Sequence, residues 1–514
     1  MKPAADRPGD AGPRSKGADL AVGDTWRQII KHAGIFGAGA VLFRLASVIL
    51  LPVYTHFLRP TDYGVIAILD LTANILSIVV GGGIAAAATR AHYEAADPRE
   101  QDRVWWTAGL MVTACATAVV GPAFVFRQAL SDFTFGRTFA NGSFYFGIAL
   151  PTLWVGSLFN VVDGYFRAVK ASAYVVGMSL VRLLVNVALN VTLLNLGFGV
   201  AGVLCGNFLS AILIVVLQGA AFMKARPVPG FSRPLARLYW RFGWPLVISG
   251  LLSVVMHEAD RYVLRFFVGL GEVGLYSVAY QIGQGINTLV LMPFASIWGV
   301  LIYEIAGQPD AKLTYARVFR GYVFCLGLIL LPASLLIGPA LRLVAPPEYA
   351  PAAEIVPIVC LAYFFFSLHD HFKVPALLAN RTVALLPVVG VAAATNVAVN
   401  LVAIPWLGAI GAAWVSVLTF IVFSLGGLYR YRRLDQYPYP IAESTAVLVG
   451  MTFTYVGFRL FVMPRVGVAG QVAVAAGVWL AWAAVLAARI AGPAIASLRA
   501  RLPVAFPAFV RGVS

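Results

Sequence analysis

Charged side chains buried in apolar stretches are the residues of this chain most suited to chemistry. On insertion scales each costs at least about 2.5 to 3.5 kcal/mol at mid-membrane, so it usually faces a cavity or a partner. Arg44 stands about 11 residues into the stretch 33–57 and Arg182 about 10 residues into 172–196. At 1.5 Å per helical residue both guanidiniums lie about 15 Å deep from the same side. Two guanidiniums at one depth suit a diphosphate, whose oxygens match arginine's rigid donor fork. The stretch 242–267 carries His257, Glu258, Asp260, Arg261 and Arg265. Glu258, Arg261 and Arg265 share one helical face, so an ion pair is available, while Asp260 points about 60° away. Asp70, Glu258 and Asp260, with Arg261 beside them, form a candidate coupling or gating group, because carboxylates in low dielectric are natural H⁺ or Na⁺ ligands. Asp70 can also pair with Arg44. A self-neutralised helix end is the alternative reading of the 258–265 cluster.

Other polar groups point to structure. Asn186/Asn190 and Asn396/Asn400 stand at i and i+4, which suits hydrogen bonding between helices. His369 and His371 project about 200° apart on a helix, so with Asp370 and Lys373 they form an interfacial cluster, and no metal site is expected. No GxxxxGK[ST] loop is present, and Gly37 and Gly39 lie within an apolar helix.

Composition dictates what positions these residues. The chain of 514 residues is 60% hydrophobic and 12% charged, which excludes a soluble enzyme fold. Fourteen apolar stretches are long enough to span a bilayer: 33–57, 63–88, 104–126, 139–162, 172–196, 198–222, 242–267, 273–303, 318–339, 353–378, 382–406, 409–429, 441–463 and 467–490. With the N-terminus inside, and with residues near helix ends counted to the nearer side, 28 of the 38 Lys and Arg fall on the cytoplasmic side and 7 outside, leaving Arg44, Arg182 and Arg261 deep within helices, so the positive-inside rule places both termini in the cytoplasm. The net charge of +16 therefore reflects topology, and no nucleic-acid partner is expected.

Displacing the chain by 210 residues superposes Asn186-Val-Ala-Leu-Asn190 on Asn396-Val-Ala-Val-Asn400 and Asp62-Tyr-Gly64 on Glu272-Val-Gly274. Leu196-Gly197 meets Leu407-Gly408 one residue later. An even number of crossings separates the copies, so two six-helix lobes share one orientation. The expected organisation is a disordered cytoplasmic tail at 1–30, an N-lobe at 31–223, a cytoplasmic connection at 224–241, a C-lobe at 242–430, two further helices at 431–490 and a cytoplasmic tail at 491–514. The same displacement sets Gly81-Gly82-Gly83 against Leu291-Met292-Pro293. Glycine and proline both weaken a helix, so Gly81, Gly82, Gly83 and Pro293 are candidate hinges.

The segment Leu51-Pro-Val-Tyr-Thr-His-Phe-Leu-Arg-Pro-Thr-Asp-Tyr-Gly64 resembles polysaccharide flippases of the MOP exporter superfamily, relatives of MATE exporters and lipid II flippases. The resemblance implies an all-α membrane protein with two lobes around a central cavity that opens alternately to either side. It also implies a substrate-contacting Arg at the place of Arg44, and it matches helices 13 and 14 to an extension that MATE exporters generally lack. The function implied is translocation of undecaprenyl-diphosphate-linked oligosaccharides across the bacterial inner membrane for O-antigen, capsule or exopolysaccharide assembly. No enzyme activity or cofactor is expected, only Na⁺ or H⁺ coupling, with membrane lipids, a polymerase and other assembly proteins as partners. A cation-coupled MATE-type exporter is the alternative, and a membrane glycan polymerase fits worse because the outer connections are short.

Overall fold

The computed structural model describes residues 51–226 and 228–501, without the side chains of Leu289, Thr382 and 490–501. Arg44, the tail at 1–30 and most of the first apolar stretch lie outside the described residues. The first stretch appears only in its last turns, helical over 51–57. The helices that follow are α1 (Pro60–Gly81), α2 (Ile84–Glu94), α3 (Pro98–Val125), α4 (Arg127–Phe135), α5 (Gly142–Ala168), α6 (Ser172–Asn195), α7 (Gly199–Ala225) and α8 (Arg233–Phe267). The second half has α9 (Leu270–Ile286), α10 (Met292–Ala306), α11 (Ala311–Val344), α12 (Ala352–Phe372), α13 (Val374–Leu378), α14 (Leu386–Tyr431), α15 (Ile441–Gly457) and α16 (Val468–Arg501). No strand occurs among the described residues.

Eleven helical segments are long and apolar enough to cross a membrane. The one at Val383–Tyr431, with 49 residues, is long enough for two crossings. Gly408 breaks it at φ 57°, ψ −139°, and a Cβ on Gly411 would come within 3.0 Å of the Ala403 carbonyl oxygen, so the chain doubles back there. Leu270–Ala306 is long enough for a further crossing, and one π-helical turn at Asn287–Leu291 interrupts it. Each apolar stretch after the first thus has its helical counterpart.

α3, α5, α6 and α7 pack on one another in the first half, and α8, α12 and α14 do so in the second. The repeat-related pair α1 and α9 forms the broadest direct contact between the halves, and α15 and α16 lie against α11. Two expectations change in detail. The basic stretch at 224–241 is largely helical, because α8 starts at Arg233 with proline in its first turn, leaving 226–232 as the link. The connection after the third stretch holds α4, an amphipathic helix that buries Ser131, Thr134 and Phe135.

Candidate functional site

The site begins where α1 and α9 cross. A Cβ on Gly64 would lie 2.0 Å from the Leu270 carbonyl oxygen, and one on Gly274 would lie 1.8 Å from the Pro60 carbonyl oxygen. The contact is reciprocal under the repeat, and only glycine permits it. It gives the Asp-Tyr-Gly and Glu-Val-Gly steps a physical reason. Their acids serve local ends: Asp62 Oδ2 accepts the Arg59 N–H at 3.1 Å, and Glu272 Oε2 accepts the Ala409 N–H at 3.4 Å. Three more bonds join the lobes at this end, opposite the basic one. Tyr63 donates to Gln281 Oε1, Tyr349 donates to the Leu58 carbonyl at 2.9 Å, and Arg265 donates to the Phe135 carbonyl.

About one turn further in, the helices part around a cavity of about 530 Å³. Tyr54, Asp70, Asn74, Asn186 and Asn207 line it from one half, and Glu258, Arg261, Ser277, Gln281, Gln284 and Thr288 from the other. A second chamber of about 450 Å³ shares Asn74, Glu258, Gln284 and Thr288 and reaches towards the basic end at Ala295 and Asp370.

Three of the candidate charges meet here. Asp70 is exposed to the cavity. Arg261 stands 3.8 Å from Glu258 and 4.9 Å from the Tyr280 ring centroid, and its Nη1 makes no hydrogen bond. Arg261 thus serves Glu258 and its chain neighbour Asp260 directly, with Asp70 across the cavity also within its field. Arg265 turns from Glu258 to the Phe135 carbonyl, so the expected three-membered stripe is reduced to one pair.

Asp260 lies behind this wall, fully buried. Its Oδ2 accepts the Tyr276 hydroxyl and, at 3.4 Å, that of Ser416, while Oδ1 has no partner. One turn along α14, Asn396 donates to Thr419 Oγ1 at 3.3 Å, and Asn400 donates to Asn396 Oδ1 at 3.0 Å. The Asn400 Oδ1 is likewise buried without a partner. In the first half Asn186 donates to Asn207 Oδ1 at 2.8 Å and to Ser210 at 3.1 Å, and Asn190 donates to the Tyr54 hydroxyl at 2.7 Å.

Arg182 stacks over the Phe159 ring at 4.8 Å and joins no salt bridge among the described residues. The helices are interrupted at both candidate hinges. α1 ends at Gly81, Gly83 takes φ 78°, and the π turn precedes Pro293. At the end of α12, Asp370 pairs with Lys373 at 2.6 Å, His369 stacks on Phe423 at 3.8 Å, and His371 is buried among Trp298, Phe294 and Tyr322.

Asn74, Asn207, Gln281, Gln284 and Thr288 also line the cavity, and being uncharged they do not stand out within their apolar stretches. A signal existed for most of them: Asn74 is one turn from Asp70, and Gln281, Gln284 and Thr288 form an i, i+3, i+7 stripe on an otherwise apolar helix.

Two packed halves, a polar cavity between them and two helices outside the second half define an all-α multi-pass membrane protein with the fold of MurJ and MATE transporters. The chain belongs to the polysaccharide biosynthesis protein family, matched over residues 29–298, just over half of its length. It is similar to the succinoglycan biosynthesis transport protein ExoT of Rhizobium meliloti (strain 1021), with 23% identity over 276 residues, 53% of this chain and 51% of that protein. It is also similar to the probable flippase AglR of Haloferax volcanii, with 26% identity over 286 residues, 53% of this chain and 56% of that protein. The chain thus spans about half the length of these relatives. Among solved structures, the lipid II flippase MurJ in an inward closed conformation superposes with a TM-score of 0.70 over 90% of this chain and 99% of that one, at 12% identity. An inward-facing MATE family multidrug resistance transporter gives 0.58 over 80% and 96%, at 15% identity. At such identities the likeness is one of fold.

Proposed function

We propose that this protein is a flippase that carries undecaprenyl-diphosphate-linked oligosaccharide units from the inner to the outer leaflet of the bacterial cytoplasmic membrane, for assembly of a surface polysaccharide. The observation that carries this reading is the polar cavity of about 530 Å³ lined by both lobes, in a chain of the polysaccharide biosynthesis family. Sugar hydroxyls both donate and accept, and the Asn, Gln, Thr and Tyr side chains around the cavity offer both functions. A site of this size takes a few sugar units, leaving the polyprenyl tail in the bilayer.

The diphosphate is assigned to arginine: Arg261 on the wall, with Arg44 and Arg182, which residue counting places at one depth, as further contacts once Arg182 leaves Phe159. Asp70 and Glu258 repel that anion, so its entry is favoured when a cation or proton neutralises them. This links substrate to Na⁺ or H⁺. Asp260, with its partnerless buried oxygen, is the second candidate carboxylate for such an ion. Alternating access then requires the Gly64/Gly274 crossing to part, with bending at Gly81–Gly83 and around Pro293. The basic end, by the charge rule, faces the cytoplasm with both termini. A polymerase would receive the product outside.

Deleting the gene tests the proposal: an intact lipid-linked oligosaccharide should accumulate in the membrane. A second reading, export of a cationic solute, is favoured by the two carboxylates on the cavity wall. In that case deletion sensitises cells to cationic drugs and leaves lipid-linked sugars unchanged.

A further inference from the structure

A separate groove of about 220 Å³ opens at the basic end, between the two crossings of α14. Val388, Val391 and Val422 form its apolar part, and Tyr429, Arg430 and Arg433 its polar part. The gap exists because position 426 is glycine: a Cβ there would meet only Val388, at 3.9 Å. Arg430 Nε donates to the Ala384 carbonyl at 3.2 Å, which orients its guanidinium and leaves the Nη groups without a hydrogen bond among the described residues. Arg433 donates to the Tyr429 hydroxyl at 2.9 Å, and Arg432 and Arg433 flank the Tyr429 ring at 4.6 and 5.0 Å. None of these three arginines joins a salt bridge among the described residues, and Asp435, the next acid in the chain, is held by Lys312.

We propose that this groove binds an anionic phospholipid of the surrounding membrane, with the headgroup phosphate on Arg430 and Arg433 and the first part of an acyl chain along the valines. Three features argue for that occupant over a soluble anion. The valine floor is continuous with exposed apolar surface at Val391, which is 58% exposed. Basic pockets between membrane helices on the cytoplasmic side are suited to anionic headgroups. Guanidinium forks match phosphate oxygens, and an interfacial tyrosine sits at headgroup level. The lipid would brace the helix pair that carries Asn396, Asn400 and Ser416, whatever the cargo of the central cavity.

Native mass spectrometry of the purified full chain, titrated with phosphatidylglycerol or phosphatidylcholine, tests this. The wild type should retain one phosphatidylglycerol in preference to phosphatidylcholine. Arg430→Gln with Arg433→Gln should weaken that binding about 25-fold, about fivefold for each guanidinium. Gly426→Leu keeps every charge and fills the gap, so it should weaken binding at least about tenfold. Should that variant fold poorly, Val391→Trp blocks the same groove from its exposed edge. Equal retention of phosphatidylcholine, or unchanged phosphatidylglycerol binding in the filled-groove variant, would overturn the proposal. Stronger retention of added undecaprenyl phosphate than of phosphatidylglycerol would also overturn it, by making the groove a second substrate site.

Discussion

The two lobes carry the same amide stripe in different company. In the first, Asn186 and Asn190 on α6 face Asn207 and Ser210 on α7, and Asn186 and Asn207 open onto the cavity. In the second, Asn396, bonded to Asn400, donates to Thr419 beyond the break in α14, all fully buried, and Ser416 one turn before Thr419 donates to Asp260. The partners follow a left-handed glycine at the same spacing, Gly199 at φ 51° and Gly408 at φ 57°. One duplicated device has thus become part of a cavity wall in one copy and a fully buried, carboxylate-bearing pocket in the other. Hydrogen bonding between helices explains the amides in both copies. It does not explain a buried carboxylate that keeps one oxygen without a hydrogen bond and shares the charge of Arg261 with Glu258, an arrangement with room for a proton or a cation. Under the proposed function the two stripes divide the work: the first meets substrate hydroxyls at the cavity, and the second lies beside Asp260, a candidate for the driving ion in addition to Asp70 and Glu258.

The largest effect should come from breaking the contact that both copies share equally. Gly274→Leu or Gly64→Leu puts a side chain where a carbonyl oxygen already lies 1.8 or 2.0 Å from the Cβ position. Overpacking costs about 1 to 3 kcal/mol, so the closed end should open and the inward-to-outward ratio shift by about five- to 150-fold. Labelling of a cavity cysteine by an impermeant reagent reads that ratio. An unchanged ratio in both variants would remove the crossing as a gate.

Asp260→Asn sharpens the contrast next. It removes the charge that accepts two hydroxyls, an effect of about 1.5 to 3 kcal/mol per bond, so transport should fall at least tenfold and its dependence on Na⁺ or pH should flatten. The matching change in the first lobe, Asn207→Ala, should raise the substrate concentration for half-maximal transport about fivefold and leave ion dependence as in the wild type. Flattened ion dependence in Asn207→Ala, or none in Asp260→Asn, would contradict the division between lobes.

Much of this architecture was legible in the sequence. Apolar length located the helices after the first stretch, and the displacement of 210 located the pairs Gly64/Gly274 and Asn186/Asn396. What the displacement could not give is that Gly64 and Gly274 touch, because a repeat states equivalence and only docking of α1 on α9 creates proximity. The face taken by Asp260 was hidden for a similar reason. Its partners Tyr276 and Ser416 come from α9 and α14 and not from its own helix. The amide lining at Gln281 and Gln284 escaped because a search for charges passes over neutral groups.

The central claim is translocation of a lipid-linked oligosaccharide through the cavity between the lobes. Reconstitution of the purified chain into sealed vesicles carrying an undecaprenyl-diphosphate oligosaccharide in the inner leaflet tests it most directly. A sugar-modifying enzyme added outside should reach that substrate over time in vesicles with the wild type, faster under an Na⁺ or H⁺ gradient, and should fail to do so with Gly274→Leu. Equal access in protein-free vesicles and in vesicles with the wild type would contradict the account.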